Sequence, residues 1–441
     1  MQHDHAIVMG GGFAGLIITH LVAQHFNKVT LIERDTLTME SSRPGIPQAS
    51  HLHVLMQQGQ VILETLMPGV LSNLPRESVE EIDWAKDTKW YGPFGAYPQY
   101  DSPIKTLSFS RHLLDRLLLK RILALDNVAT LKGTVNRLVG NNNQVYAVEM
   151  QDDASAITTI KGELIVDARG RNSNATDMLN SLGYTVPTSW FVGNDLGYAS
   201  RVYKKIEPNQ STFKQIYLQV RPRLNTRGVV VSPIENNEVI VTALGYSQDQ
   251  PPRQETAFNQ FLNQLHCDEL QDFLSTLTPI SRVTIYRNLH NQYHQYGKMK
   301  AWPSGFIVIG DAVCRMNPAY GQGMTLALKQ IVALKEKLDE LKIHEQKSWE
   351  KSMQKSIDKI NWVPWMIATS EDQRALAHEK LPLYMRGLHF YFDHILKLAV
   401  KHKKIHILFI KILHMMKSPV ALLHPAVLFQ LLYNLTFNRE T

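Results

Sequence analysis

Two glycine-rich turns lie far apart in this 441-residue chain and share one chemical capacity. Near the start, Gly10, Gly12 and Gly15 form G-x-G-x-x-G. Much later, "GDAVCRMNPAYGQGMTLA" at 310–327 places Gly310, Asp311 and Pro318 ahead of Gly321, Gly323 and Met324. Each turn follows a short apolar run, AIVM or GFIVI, and precedes apolar residues at helical spacing. Each therefore reads as a buried strand turning into a helix. Glycine at a helix start leaves bare N–H groups at the positive end of the dipole, where an anion or a carbonyl oxygen can sit.

The elements around the first turn form a βαβ unit. AIVM is a strand, the glycines open a helix that runs to about residue 26, and KVTLIE is a second strand ending on Glu33. Gly10 permits a tight turn, Gly12 lets a pyrophosphate approach the backbone, and Gly15 lets helix and strand pack closely. Glu33 stands 18 residues past Gly15, where a carboxylate accepts hydrogen bonds from a ribose diol. That favours FAD or NAD over NADP.

Three separated segments carry a family resemblance: the N-terminal unit, "DARGRNS" at 167–173 after the strand ELIV, and the 310–323 turn. Together they resemble the FAD-dependent monooxygenases of the p-hydroxybenzoate hydroxylase fold, the class A flavoprotein monooxygenases. "RPGIPQASHLHVLMQQGQVILETLMPGV" at 43–70, "DARGRNSNATDMLNSLGY" at 167–184 and "YGKMKAWPSGFIVIGDAVCRMNPAYGQGMT" at 296–325 are similar to one subgroup. It contains bacterial polyether epoxidases and is related to squalene epoxidase. The resemblance covers residues 1 to about 345 and is weak over 185–280.

The resemblance implies an α/β fold: a Rossmann-like FAD-binding domain, an antiparallel-sheet substrate domain and a C-terminal helical tail. The FAD domain is expected to be discontinuous, over 1–75, 105–180 and 281–345, with the substrate domain at 76–104 and 181–280 and the helical region at 346–441. Phe13 and Ala14 in the first turn, and Arg34 after Glu33, are further expected cofactor-binding residues. Asp311 would hold ribityl hydroxyls, the N–H groups from Gly321 to Met324 would face the flavin N1–C2=O edge, and Pro318 would shape the pocket over the ring. Arg111 would contact the pyrophosphate, Val135 the adenine, and Asp167 the pyrophosphate region. Arg43, on the Pro-stiffened loop 43–53, would contact a phosphate or the flavin. His51 and His53 on that loop lack a Cys or carboxylate cluster for a metal. A proton role for His53 and a plain loop role stay open.

The activity implied is insertion of one oxygen atom of O2 into a hydrophobic polyene, terpenoid or polyketide, by epoxidation or hydroxylation, through a flavin C4a-hydroperoxide. That chemistry needs no catalytic side chain of the protein, and none is assigned. Two alternatives stay open: a flavin-dependent reductase or dehydrogenase of a prenyl chain, and a non-catalytic lipid-binding flavoprotein. NADPH or NADH is the expected ultimate electron donor. Ala168 departs from the Asp-Gly form of aromatic hydroxylases, which points to a separate flavin reductase as partner.

The remaining segments supply supports. "SRHLLDRLLLKRILAL" at 110–125 reads as a helix with Ser110 as N-cap and Leu113, Leu114, Leu117, Leu118 and Ile122 on its buried stripe. "RGVVVSPIENNEVIVTALGY" reads as a hairpin turning at Glu235–Asn237, part of a separate antiparallel sheet. "NWVPWMI" at 361–367 reads as helix packing and not as a halogenase signature.

Two cysteines, Cys267 and Cys314, far apart in sequence, argue against a disulfide framework and suit a reducing compartment. Residues 6–23 are apolar, but four glycines interrupt them and no basic region precedes them, so neither a signal peptide nor a span is expected. The net charge of +7 does not signal nucleic acid, because almost all of the excess lies beyond Leu381. That tail alternates Lys and His with apolar residues. It suits a helix in a membrane interface, on the inner face of a membrane in an otherwise cytoplasmic protein, and it equally suits a helical cap.

Overall fold

The computed structural model describes all residues except 1–2, 40–42, 44, 46, 76–77, 194, 207–211, 222–223, 288, 342–347, 377–380 and 438–441. In chain order the elements that position the site are β1 (His3–Met9), α1 (Phe13–Ala23), β2 (Phe26–Glu33), α2 (Arg111–Leu123), β3 (Val128–Lys132) and β4 (Leu164–Asp167). They continue with β5 (Leu196–Lys205), β6 (Arg227–Ile234), β7 (Glu238–Tyr246), β8 (Phe306–Val308), α3 (Gly323–Leu341) and α4 (Trp349–Leu376).

Five strands form a parallel sheet in the order β8-β4-β1-β2-β3. Met9 pairs with Ile32 and Asp167, and Asp167 pairs with Val308. The loops that follow β1, β2, β4 and β8 therefore leave from one carboxyl edge, where open α/β sheets bind ligands. The strands are apolar on both faces because α1, α2 and α3 cover them, with Leu16, Ile17, Leu118, Leu328 and Ile331 buried in the same core.

Helix α1 ends at Ala23, three residues before the sequence pattern suggests. Phe26 is buried and opens β2 instead, opposite His3. An apolar residue at that spacing fits either continuation, and backbone pairing with β1 decided it. The Ser110 hydroxyl accepts the Leu113 N–H at 3.1 Å, the expected N-cap of α2. On that helix Leu114, Leu118, Leu119 and Ile122 are buried, whereas Leu113 and Leu117 are half-covered at its margin.

A second, eight-stranded sheet carries β5, β7 and β6 at its centre. The β6–β7 turn places Asn236 and Asn237 at φ 63° and 58°, the left-handed pair that a tight hairpin requires. One strand pair, Gln215–Leu218 with Thr88–Gly92, runs parallel, so the sheet is not antiparallel throughout. Alternation along the strands divides its faces. Ala199, Val241, Val229 and Val231 pack under Phe258, Phe261 and Phe273. Tyr198, Leu244 and Tyr246 point to the other face, toward Leu289 and Tyr286.

The C-terminal helices Leu383–Lys401, Lys403–Leu413 and Pro425–Phe437 pack on an aromatic cluster of Trp84, Trp90 and Tyr97. The tail is thus a cap, seated mainly on the 82–104 segment. Its outer surface leaves Leu383, Phe390, Leu423, Phe429 and Leu432 exposed. Among the described residues no helix is long and apolar enough to cross a membrane. Of the 361–367 stretch in α4, Trp365 is buried, as packing requires, whereas Trp362, Val363 and Met366 are exposed.

Candidate functional site

Both glycine turns open on one cavity of about 440 Å³. At the first, Leu16 N–H to Gly12 O at 2.9 Å is the opening helical hydrogen bond, so the N–H groups of Phe13, Ala14 and Gly15 precede the ladder. At the second, Leu326 N–H bonds Gln322 O at 2.9 Å, which leaves Gly323, Met324 and Thr325 in the same position. Two helix dipoles thus point their positive ends into one space.

The glycines divide by what a side chain would meet. A Cβ on Gly12 or Gly323 would have no protein atom within 4 Å. On Gly15 it would lie 1.7 Å from Gly10 O, and Gly10 itself has φ +98°. Gly10 and Gly15 build the turn, and Gly12 and Gly323 leave room beside it. Gly321 sits at φ +65° and ends the short 3-10 turn Pro318–Tyr320. The Gly310 N–H is held by Gln330 Oε1 at 2.8 Å.

Polar groups surround this space. Glu33 Oε2 accepts the Gly11 N–H at 2.5 Å, which aims the carboxylate at the first turn with Arg34 beside it on the cavity wall. Arg111, buried at the start of α2, donates Nε–H to Asp115 Oδ1 at 2.8 Å. Its guanidinium lies 5.4 Å from the Phe13 ring centre and 3.6 Å from Met324 Sδ, so it bridges the two turns. Asp311 lines the cavity and is exposed to it. Desolvation by the surrounding protein raises its pKa against the pull of Arg315, Arg111 and Arg171. Val135 lines the cavity, and its carbonyl is held by Arg169 Nη1 at 3.0 Å.

Three expected site residues stand behind this surface. Gly15 packs under Gly10. Asp167 is fully buried and accepts Arg169 Nε–H at 3.0 Å and the Ser173 hydroxyl at 2.8 Å, so it shapes the third loop and does not touch the cavity. Arg43 lies 3.6 Å from Glu33 Oε2, and its three guanidinium nitrogens are buried without a hydrogen bond among the described residues.

The structure adds groups that the motifs did not single out. Arg171 donates to the Tyr286 hydroxyl and stacks over that ring at 5.3 Å. Arg315 donates to Gln292 Oε1 at 3.2 Å and contacts His290. Burial and the nearby Arg171 lower its pKa. Tyr198, Tyr286, Leu289, Pro318 and Tyr320 form a largely apolar wall. His51 and His53 also line it, and burial holds both near pKa 4, hence neutral. Arg171 lay inside a recognised motif, but Tyr198 and Tyr286 carry no local signal.

These features fit a dinucleotide that carries a flavin. They comprise a glycine cradle that a Cβ would fill, an acid on the second strand, a second helix start, and an orphaned guanidinium beside the acid. Comparison with known proteins agrees. Residues 4–348 match the family described as FAD binding domain. Protein Rv3254 of Mycobacterium tuberculosis is 25% identical over 411 residues, covering 90% of this chain and 86% of that protein. Squalene epoxidase 1 of Arabidopsis thaliana is 24% identical over 357 residues, covering 76% of this chain and 59% of that protein. The structure of flavin-dependent brominase Bmp2 superposes with a TM-score of 0.66 at 14% identity, over 94% of each chain, which is a likeness of fold.

Proposed function

The chain belongs to the FAD binding domain family, among the class A flavoprotein monooxygenases, and we propose that it inserts one oxygen atom of O2 into a hydrophobic substrate. The observation that carries this reading is the single cavity that joins two bare helix starts to a wall of Tyr198, Tyr286, Leu289 and Pro318. FAD, when bound, supplies the activation of O2. The residues of this chain supply the rest. Gly12 and the α1 start, with Arg111, would take the pyrophosphate, and Glu33 the ribose. Asp311 would take ribityl hydroxyls, and the α3 start the negative edge of the flavin ring. The aromatic wall binds an alkene or arene and excludes water. Epoxidation of a polyene is the favoured outcome, by analogy with the name of the plant relative.

We assign the electrons to NADPH or NADH through a separate reductase, a reading supported by Ala168 on the third loop. Rapid anaerobic bleaching of the flavin by either nucleotide alone would refute it. The exposed apolar residues of the cap, with Lys397, Lys401, Lys403, Lys404 and Lys411 between them, support contact with an anionic membrane surface. Salt-reversible co-sedimentation with anionic liposomes is expected, and its absence removes that contact.

The decisive experiment is incubation with polyenes, a reductant and 18O2. One labelled oxygen in the product is expected. Turnover without label would assign a reductase or dehydrogenase, and no turnover a binding flavoprotein.

A further inference from the structure

His51 is a polar group of the cavity wall to which the oxygen-insertion reading gives no task. It follows the 3-10 turn Pro47–Ser50, and its ring lies 5.7 Å from that of Tyr286 and 6.5 Å from that of Tyr198. Nδ1 is 2.8 Å from Ser200 Oγ, and Ser200 Oγ is 2.8 Å from Thr242 Oγ1. Thr242 Oγ1 in turn accepts the backbone N–H of Leu52 at 3.4 Å. Ser200 and Thr242 are direct partners across β5 and β7, and both are buried. The imidazole is therefore braced on the antiparallel sheet and not on either glycine turn.

The hydrogens in this chain have one direction. Leu52 N–H can only donate, and it occupies a lone pair of Thr242. Among the described residues the Thr242 hydroxyl has one acceptor in reach, Ser200 Oγ. The Ser200 hydroxyl proton is then left for His51 Nδ1. The reverse order would strand the Thr242 proton in a dry interior, the costly case of an unmet buried donor. Burial also keeps the ring neutral, with its pKa near 4. A neutral imidazole that accepts at Nδ1 carries its proton on Nε2.

We propose that His51 Nε2–H is a fixed hydrogen-bond donor for an oxygen on the substrate, so that the substrate class is an oxygen-bearing lipid, such as a polyene ketone, ester or ether, and not a bare hydrocarbon. The inference rests on the cavity being the substrate site, as the proposed function has it. A bare hydrocarbon would bury this donor without a partner, and a site built around a buried donor rejects the analogue that lacks the matching group. His51 acts here as a specificity-determining residue. It holds its own proton and takes none from the reacting atoms.

Two measurements test it. In holoprotein labelled with 15N-histidine, the His51 signals are identified by their loss in His51→Phe. An Nε2–H tautomer with bare Nδ1 is expected, and an Nδ1–H tautomer overturns the proposal. Calorimetric titration then compares geranylacetone with the hydrocarbon of the same skeleton. The wild type should bind the ketone about tenfold more tightly, a difference of about 1.4 kcal/mol. His51→Phe should erase the preference, at a cost in thermal stability because the buried Ser200 hydroxyl loses its acceptor. His51→Gln, which presents an amide N–H and keeps an acceptor oxygen, should restore part of both. Equal binding by the wild type, failure of both probes to bind, or a preference that survives His51→Phe each overturns the proposal. Binding is read without turnover. Absence of 18O from products would therefore defeat the oxygen-insertion reading while leaving this preference measurable.

Discussion

Asp372, in α4, accepts the side-chain amide of Asn317 at 3.1 Å across 55 residues of sequence. The same carboxylate takes Asn291 Nδ2–H at 2.6 Å and the Tyr320 hydroxyl at 3.3 Å. Asn317 Oδ1 receives the Tyr198 hydroxyl at 3.2 Å and the Ala319 N–H at 3.0 Å. The loop that carries Pro318 is thus held from beneath by a helix outside the family-matched segment. Asp372→Ala would leave several buried donors unmet. It should cost about 3 kcal/mol in urea unfolding and reduce the FAD retained on gel filtration. Unchanged stability and flavin content would show that the loop is anchored elsewhere.

The glycines separate cofactor room from backbone construction. Gly12→Ala and Gly323→Ala meet no protein atom within 4 Å. Each apoprotein should unfold within about 0.5 kcal/mol of the wild type, as substitutions free of new contacts do. Each should bind FAD about tenfold more weakly in fluorescence titration, near 1.4 kcal/mol. Gly15→Ala forces an atom to 1.7 Å from Gly10 O and should destabilise even the apoprotein, by about 2 kcal/mol or more. If all three behave alike, the cavity does not seat the cofactor at these turns.

Purified protein is expected to be yellow with one non-covalent FAD. Glu33→Ala and Asp311→Ala each remove a carboxylate acceptor, worth about 1.5–3 kcal/mol per charged hydrogen bond. Flavin absorbance after dialysis measures the loss. Normal FAD content in the double variant refutes the assignment of both residues.

Acid should loosen the C-terminal cap. His414 Nδ1 accepts the Gln57 N–H at 3.1 Å, and its ring meets the Trp84 ring at 4.4 Å. Burial depresses its pKa from 6.5 to about 3. The unfolded chain therefore binds a proton below pH 6.5 that the folded chain refuses, and stability falls as pH drops from 6.5 toward 3. At pH 4.5 this single group should cost about 3 kcal/mol relative to pH 8, at roughly 1.4 kcal/mol per unit. His414→Gln should flatten that part of the pH–stability curve in denaturant melts. An unaltered slope would place the acid sensitivity in other groups.

Much of the binding edge was legible because it is local. Strand, glycine turn and helix start are contiguous in sequence, so Gly10, Gly12, Glu33, Asp311 and Gly323 declare themselves by spacing and type. The hairpin at Asn236–Asn237 and the Ser110 cap are local in the same way. The end of α1 was not legible, since Phe26 satisfies both a helical stripe and a buried strand until His3 pairs with it. Nor was the role of the tail. Amphipathic spacing shows that one side must be covered, while the cover, Trp84, Trp90 and Tyr97, lies some 300 residues upstream.

By itself the sequence determined the βαβ unit, the second glycine turn and the acid between them, because each depends on backbone geometry within a few residues. Only the tertiary structure decided that both helix starts face one cavity, that Asp167 and Gly15 stand behind it, and that Asp372 anchors the Pro318 loop. It also assembled the hydrogen-bond chain from which we infer the direction of the proton on His51. That direction depends on Ser200 and Thr242, which are 149 and 191 residues away and meet only because two strands pair in register.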